Sequence, residues 1–325
     1  MKFIKVVCIL AALQTSTAFA QQNPFSSSYT LNEQFSSPSN VGIYDYMLVN
    51  ASTRLQMLGF DDGPRTHFIS ANTAIDDMHS GGIMAFSDKF GVTQQTGIYL
   101  DYAYRMPIGL DYNVSFGIGP KLFSYSFNDS GIDVVDPGDP VFGNNEESSF
   151  SVDARVGVSI FSDDLLVSLS ADNLIESSIK LAQKDNRLNN LQREFKLYAH
   201  YHYQLEQANN FAIEPSVMLR SKLYGHYILE GNIDVVYMDL FYAGVHYRHD
   251  NAYGFRLGAR SKEIIFTYQF EVVSSDLSEL GKTSHEIGLG FRIFNDKSSQ
   301  NNRWYERHKE NAWIGKDSFI NRDKE

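Results

Sequence analysis

Ser284–Phe294, reading SHEIGLGFRIF, is the stretch from which the rest of the chain is read. His285, Ile287, Leu289, Phe291 and Ile293 leave one face; Glu286, Gly288, Gly290, Arg292 and Phe294 leave the other. Strict alternation marks a β-strand, because successive side chains point to opposite sides. One face is greasy enough for lipid and the other carries Gly, Glu and Arg, as in the wall of a membrane barrel with a polar interior. A soluble sandwich also alternates, so the pattern has to recur before it decides the fold.

It recurs along the whole chain. Val49–Met57 sets Val49, Ala51, Leu55 and Met57 against Asn50, Ser52, Arg54 and Gln56. Similar alternation covers Gly97–Met106, Tyr112–Gly119, Phe150–Ile160, Leu165–Asp172, Phe195–Gln204, Phe211–Arg220, Tyr224–Asp234, Phe241–Arg248, Tyr253–Arg260 and Ile264–Glu271. Arg65–Ile75 and Gly81–Phe90 alternate more weakly. With the last strand these make fourteen candidates. Each is about ten residues long, as a tilted membrane strand requires.

Loop lengths sort by parity. The long links Phe127–Ser149, Asn173–Glu194 and Val272–Thr283 follow the fifth, seventh and thirteenth candidates, all at one end. Links at the other end are short, such as Pro107–Gly109, Ser162–Asp163 and Ser261–Lys262. Long outer loops and short periplasmic turns are the rule for membrane barrels, and a sandwich has no reason to follow it. A bilayer also demands closure, since an open edge leaves backbone groups unpaired. The expected fold is an all-β antiparallel transmembrane outer-membrane β-barrel of about fourteen strands.

The N-terminus reads as a signal peptide: Lys2 and Lys5, a short apolar run Val6–Leu13, then Ala18-Phe19-Ala20 as the cleavage signal. Cleavage between Ala20 and Gln21 is expected. The domain reading is therefore 1–20 signal peptide, 21–47 irregular N-terminal segment, 48–294 barrel and 295–325 polar periplasmic tail. Cys8 is the one cysteine and lies in the leader, so no disulfide or thiolate site is expected in the mature chain. Losing two lysines leaves 26 basic against 39 acidic residues, a net charge of −13. Nucleic acid is an unsuitable partner for such a chain.

Several blocks resemble the PorP/SprF family, outer-membrane components of the type IX secretion and gliding apparatus of Bacteroidota. Ser37-Pro38-Ser39-Asn40-Val41-Gly42 resembles the family's Asn-Pro-Ala-x-x-Gly, with Pro38 and Gly42 matching and Ser37 and Ser39 departing. Arg54 and Gln56 fall within Tyr-Arg-x-Gln-Trp, where Met57 replaces the Trp. Gly63-Pro64-Arg65-Thr66, Asp88–Gly91, Thr96–Tyr99, Asp101–Arg105, Ser115-Phe116-Gly117 and Ser284–Ile287 continue the series in order over most of the chain. The resemblance implies a role in exporting or anchoring large cell-surface proteins such as gliding adhesins. It implies secretion components and an adhesin-type client as partners, besides outer-membrane lipid.

Inward-facing charges are the candidate lumen lining: Arg54, Arg105, Arg155, Arg220, Arg256, Arg260 and Arg292 against Asp101, Asp153, Glu214, Glu230, Glu263, Glu271 and Glu286. Such a set either forms a selective pore or ties the wall together as ion pairs, and the second reading is preferred. His200 and His202 share a face, with His226 and His246 as further lumen candidates, but no carboxylate is placed beside them by sequence. Acidic residues crowd Asp129–Glu147 without calcium-loop spacing, which reads as a solvated loop. No nucleophile elbow, zinc-protease helix or phosphate loop occurs, so neither catalysis nor a cofactor is expected. Past Phe294, Trp304, Tyr305, Trp313 and Ile314 stand among charges as a candidate partner-docking tail. The alternative to the secretion role is a diffusion channel for small solutes.

Overall fold

The computed structural model describes residues 26–294 except 45, 61, 129–145, 181–186, 207, 209, 224, 226, 250–251 and 275–280. The expected signal peptide, the tail with Trp304, Tyr305, Trp313 and Ile314, His226 and most of the acidic loop lie outside the described residues. In chain order the strands are β1 (Tyr46–Leu55), β2 (Arg65–Ala74), β3 (His79–Phe90), β4 (Thr93–Ile108), β5 (Tyr112–Asn128), β6 (Glu146–Phe161), β7 (Leu165–Asp172), β8 (Ser178–Lys180), β9 (Arg187–Asn190), β10 (Glu194–Tyr201), β11 (Tyr203–Gln204), β12 (Phe211–Lys222), β13 (Tyr227–Tyr237), β14 (Phe241–Arg248), β15 (Ala252–Arg260), β16 (Ile264–Val273) and β17 (Thr283–Phe294).

Fourteen of them close an antiparallel barrel. Each pairs with its sequence neighbour, β10 pairs with β12, and the seam joins β1 to β17 with Tyr46 opposite Phe294 and Arg54 opposite Glu286. β8 and β9 form a separate hairpin in the link between β7 and β10. β11 continues β10 in the same register after a break at His202. The break lies opposite Glu214-Pro215 in β12, and Pro215 has no N–H to give to a ladder.

The fourteen sequence candidates each correspond to one barrel strand, with shifted ends. β1 spans Tyr46–Leu55 where Val49–Met57 was expected, and β13 lies three residues later than expected. β4, β5 and β6 reach 16, 17 and 16 residues. They extend past the expected ends because the pairing from Phe127 and Asn128 to Glu147 and Glu146 prolongs the wall into the expected link Phe127–Ser149.

Burial is inverted relative to a soluble protein. Ile69, Ile83, Ile118, Leu257 and Val245 face outward and exposed, while Arg54, Arg155 and Arg256 are among the largest fully buried side chains. Outward tyrosines and phenylalanines stand near both rims: Tyr104, Tyr112, Tyr237 and Phe241 by the short turns, Tyr227, Tyr247 and Tyr253 by the loops. Such aromatic girdles mark membrane interfaces. The lumen also has an apolar sector. Phe68, Met84, Phe86, Tyr99 and Phe123 point inward from β2 to β5 and are buried in one cluster.

Candidate functional site: the plugged lumen

The N-terminal segment, expected to be merely irregular, occupies the lumen. Ser26–Ser28, Gln34–Phe35 and Ser37–Ile43 are all buried. Two short 3-10 turns, Glu33–Phe35 and Pro38–Asn40, give the segment its shape. Ser37 caps the second turn, accepting a hydrogen bond from Ser39 N at 3.2 Å, with Pro38 at the first helical position. Ser is among the preferred N-caps and Pro is preorganised for that first position.

The wall is hollowed to receive this motif. A Cβ on Gly117 would stand 2.2 Å from Ser39 N, and one on Gly157 2.1 Å from Ser37 Oγ. The two glycines face each other across β5 and β6. Ser39 and Asn40 then bond Ser159, and Asn40 also reaches Ser36 and Ser168. At Gly42 the backbone turns with φ +63°, where a Cβ would meet Ser80 Oγ at 2.6 Å and Thr73 O at 2.7 Å. Only glycine suits both the angle and the space. Phe35 meets Phe68 edge-on, with ring centroids 5.6 Å apart, and Lys196 Nζ lies 4.7 Å over the Phe35 ring.

Toward the loop end the plug's tip enters a network of charges. Ser27 Oγ accepts from Arg54 (2.6 Å) and Arg248 (2.7 Å) and donates to Glu271 (2.6 Å), which fills its hydrogen-bonding capacity. Glu286 accepts from Ser26 Oγ (2.5 Å) and Ser27 N (2.8 Å). Tyr29 packs edge-on against Tyr198 at 5.6 Å, and its hydroxyl accepts from Asn232 (2.6 Å). Burial pushes the Tyr44 hydroxyl well above the usual phenol range, so it stays protonated and donates to Glu33 (2.6 Å).

The predicted lumen charges divide as follows. Arg54 pairs with Glu271 (2.6 Å) and Glu286 (3.1 Å), and Arg155 with Asp101 (2.7 Å). Arg256 meets Asp234 (3.2 Å), Arg260 meets Glu214 (2.7 Å) and Asp239 (2.9 Å), and Arg220 lies between Glu194 (3.7 Å) and Glu230 (3.8 Å). Arg105 points inward but donates to the carbonyls of Asp77 and Gly42, at 3.2 and 3.3 Å. Arg292 lies over the Tyr46 ring at 5.4 Å. Glu263 departs from expectation: it sits exposed in the turn between β15 and β16, because the strand starts only at Ile264. His202 contacts Glu214 at 2.8 Å and His246 contacts Glu271 at 3.3 Å, so carboxylates do stand beside these histidines. No metal-binding cluster of three or more ligands occurs among the described residues.

Lys196 and Asp172 lie on the polar face where alternation puts them, and Lys121, Glu194, Asp234 and Arg248 are further buried lumen charges of the same parity. Sequence reading missed how pairs form across strands. Asp234, Gly244 and Arg256 are consecutive cross-strand neighbours, and a Cβ on Gly244 would stand 2.1 Å from Asp234 Oδ1. The same holds for Asp101 and Arg155 over Gly119, where the Cβ would be 2.1 Å from Asp101 Oδ1. His246 and Glu271 meet over Gly254. Strands two apart are separated by roughly 10 Å, and in these three pairs the residue between has no side chain to stand in the way. Below the plug a cavity of about 90 Å³ remains, bordered by Arg256, Arg260, Arg292, Glu214, Asp234 and Tyr242. That is the scale of a few water molecules.

A closed antiparallel barrel with an apolar outside, two aromatic rims and an ion-paired interior is an integral outer-membrane protein. The family model for the type IX secretion system membrane protein PorP/SprF matches residues 18–291, and the chain belongs to that family. It is thus a type IX secretion-related protein of the outer membrane, and the family implies contact with other secretion components. No curated protein matches the sequence. Among solved structures, the Pseudomonas putida toluene transporter TodX aligns at 7% identity and TM-score 0.47, covering 83% of this chain and 94% of that one. The CymD monoaromatic hydrocarbon channel aligns at 11% identity and TM-score 0.47, covering 78% and 89%. Omp33 of Acinetobacter baumannii aligns at 7% and 0.43, covering 78% and 100%.

Proposed function

We propose that this protein is a non-catalytic holder of exported clients: it supports the secretion or surface attachment of large cell-surface proteins such as gliding adhesins, and does not serve as a diffusion channel. The observation that supports this reading is the filled lumen. Ser26–Tyr44 runs through it, anchored from Gly157 at one end to Glu286 at the other. A solute path would need that space empty. The tail supplies a second part of the proposal: Trp304, Tyr305, Trp313 and Ile314 dock on a periplasmic component of the apparatus, since aromatic anchors carry much of the energy of interfaces. Deleting the gene should abolish surface display of a client while leaving general outer-membrane permeability unchanged. The purified protein should be electrically silent in planar bilayers. Normal display in the deletion strain, or steady solute-sized conductance, would overturn the reading.

A further inference from the structure

The wall grips the plug by its side chains and also along its main chain. Glu286 accepts from the backbone N–H of Ser27 (2.8 Å) and Ser28 (3.2 Å). Arg155 donates to Gln34 O (2.8 Å), Lys196 to Phe35 O (3.1 Å), Ser170 to Ser36 O (2.7 Å) and Arg105 to Gly42 O (3.3 Å). Contacts of this kind do not depend on which side chains the peptide carries. Selectivity comes from side-chain hydrogen bonds such as those of Ser27 and Gln34, and from two sockets and a slot. Tyr29 enters the socket of Tyr198 and Asn232, Phe35 enters that of Phe68 and Lys196, and small residues fit over Gly117 and Gly157.

Charge favours exchange of the segment. Between Ser26 and Tyr44, Glu33 is the one charged residue. Three wall cations that touch the plug keep wall carboxylates of their own: Arg54 has Glu271 and Glu286, Arg155 has Asp101, and Lys196 has Asp172 at 2.8 Å. A departing plug therefore leaves these three cations paired, and for them the cost that usually locks a buried ion pair in place does not arise.

We infer that the lumen is a peptide-binding site whose resident is this chain's own N-terminal segment, and that it admits in its place a weakly charged, turn-forming segment of an exported client. That segment carries two aromatic residues six positions apart, like Tyr29 and Phe35, followed by small hydroxyl or amide residues. The inference rests on the client-handling reading only for the source of the peptide.

The test uses the full chain with a site-specific protease sequence inserted at Asp45 and cut after folding, so that the plug stays bound but untethered. Cutting removes the high local concentration of a tethered competitor. The probe is a fluorescein-labelled synthetic peptide of residues 26–44, followed by anisotropy in detergent micelles. A second protein also carries Ser39→Cys and Ser159→Cys, whose hydroxyls lie 2.5 Å apart, so that oxidation locks the plug. Heat-modifiable migration checks that both proteins are folded. The labelled peptide should exchange into the cut protein and into the reduced cysteine variant, and bind the oxidised variant at least tenfold more weakly. A peptide with Tyr29 and Phe35 replaced by Ser should compete at least tenfold less well. Equal binding to the oxidised and reduced forms, or no exchange into the cut protein, overturns the inference. Failure of the client-handling reading shows elsewhere, as normal client display in a deletion strain.

Discussion

Arg54→Gln tests whether the ion-paired lumen holds the barrel shut. Arg54 is about 1% exposed and sits on β1 directly opposite Glu286 on β17, at the seam between the first and last strands. Its guanidinium lies 2.6 Å from Glu271 and 3.1 Å from Glu286, and both carboxylates are equally buried. Removing one partner of a buried ion pair leaves an uncompensated charge and typically costs about 3–5 kcal/mol. Arg248 remains 3.3 Å from Glu271, and Ser26–Ser28 still donate to Glu286, so the lower half of that range is expected. The assay is guanidinium unfolding in lipid vesicles, with the loss read as a lower midpoint at unchanged slope. The double variant Arg54→Gln/Glu271→Gln should be less destabilised than the sum of the two single changes, with a coupling of roughly 1–3 kcal/mol. An Arg54→Gln protein within about 1 kcal/mol of the parent, or strict additivity in the cycle, would refute the reasoning.

Leu257 faces outward from the middle of β15 and is 47% exposed, so Leu257→Arg should cost about 2–4 kcal/mol in the same vesicle assay. Gly117→Val puts a branched side chain where Ser39 and Pro38 now lie, 2.2–2.3 Å from its Cβ, and should eject the plug. The readouts are new proteolytic cleavage within residues 26–44 and the onset of conductance in planar bilayers. An epitope inserted between Asn128 and Glu146 should be reached by antibody on intact cells, whereas one placed after Lys297 should be reached only once the outer membrane is opened.

The wall was legible in the sequence because lipid and lumen impose opposite chemistry on alternate residues. Strands such as β15 and β17 set Arg and Gly against Leu and Phe along nearly their whole length. The weakest candidates, β2 and β3, were weak for a physical reason: their inward residues Phe68, Met84 and Phe86 are apolar and pack in one cluster with Phe35 of the plug. Apolar residues on both faces blur a period-two pattern. Charge pairing was legible by face but not by partner. Asp234 and Arg256 share a face on strands two apart, and only the register that puts Gly244 between them brings them together. Glu263 had the right parity but lay one residue outside its strand, where parity has no meaning. The plug was illegible by periodicity, because its backbone is ordered by wall contacts from strands far along the chain. The run Ser37–Gly42 was the available signal. Its capping Ser, Pro at the first helical position and positive-φ Gly describe an ordered turn, not a loose tail.

The path of the plug ties the two halves of the barrel together. Its body lies on the first half: Gly82 on β3, Gly117 on β5, Gly157 and Ser159 on β6 and Ser170 on β7 all touch residues 34–41. Its tip lies on the second half: Asn232 on β13, Arg248 on β14, Arg256 on β15, Glu271 on β16 and Glu286 on β17 all bond residues 26–30. The tip's anchors Arg54 and Glu286 are brought opposite each other only when β1 and β17 meet. The body's seat is built by strands from β2 to β10, with Phe68 and Lys196 on Phe35, and all of them precede the closing strands in the chain. The tip site is therefore completed by closure, and the plug's hydroxyls in turn satisfy Glu271 and Glu286 at the seam. Releasing the tip leaves the seam its direct Arg54–Glu286 pair, while releasing the body leaves the glycine slot of β5 and β6 open.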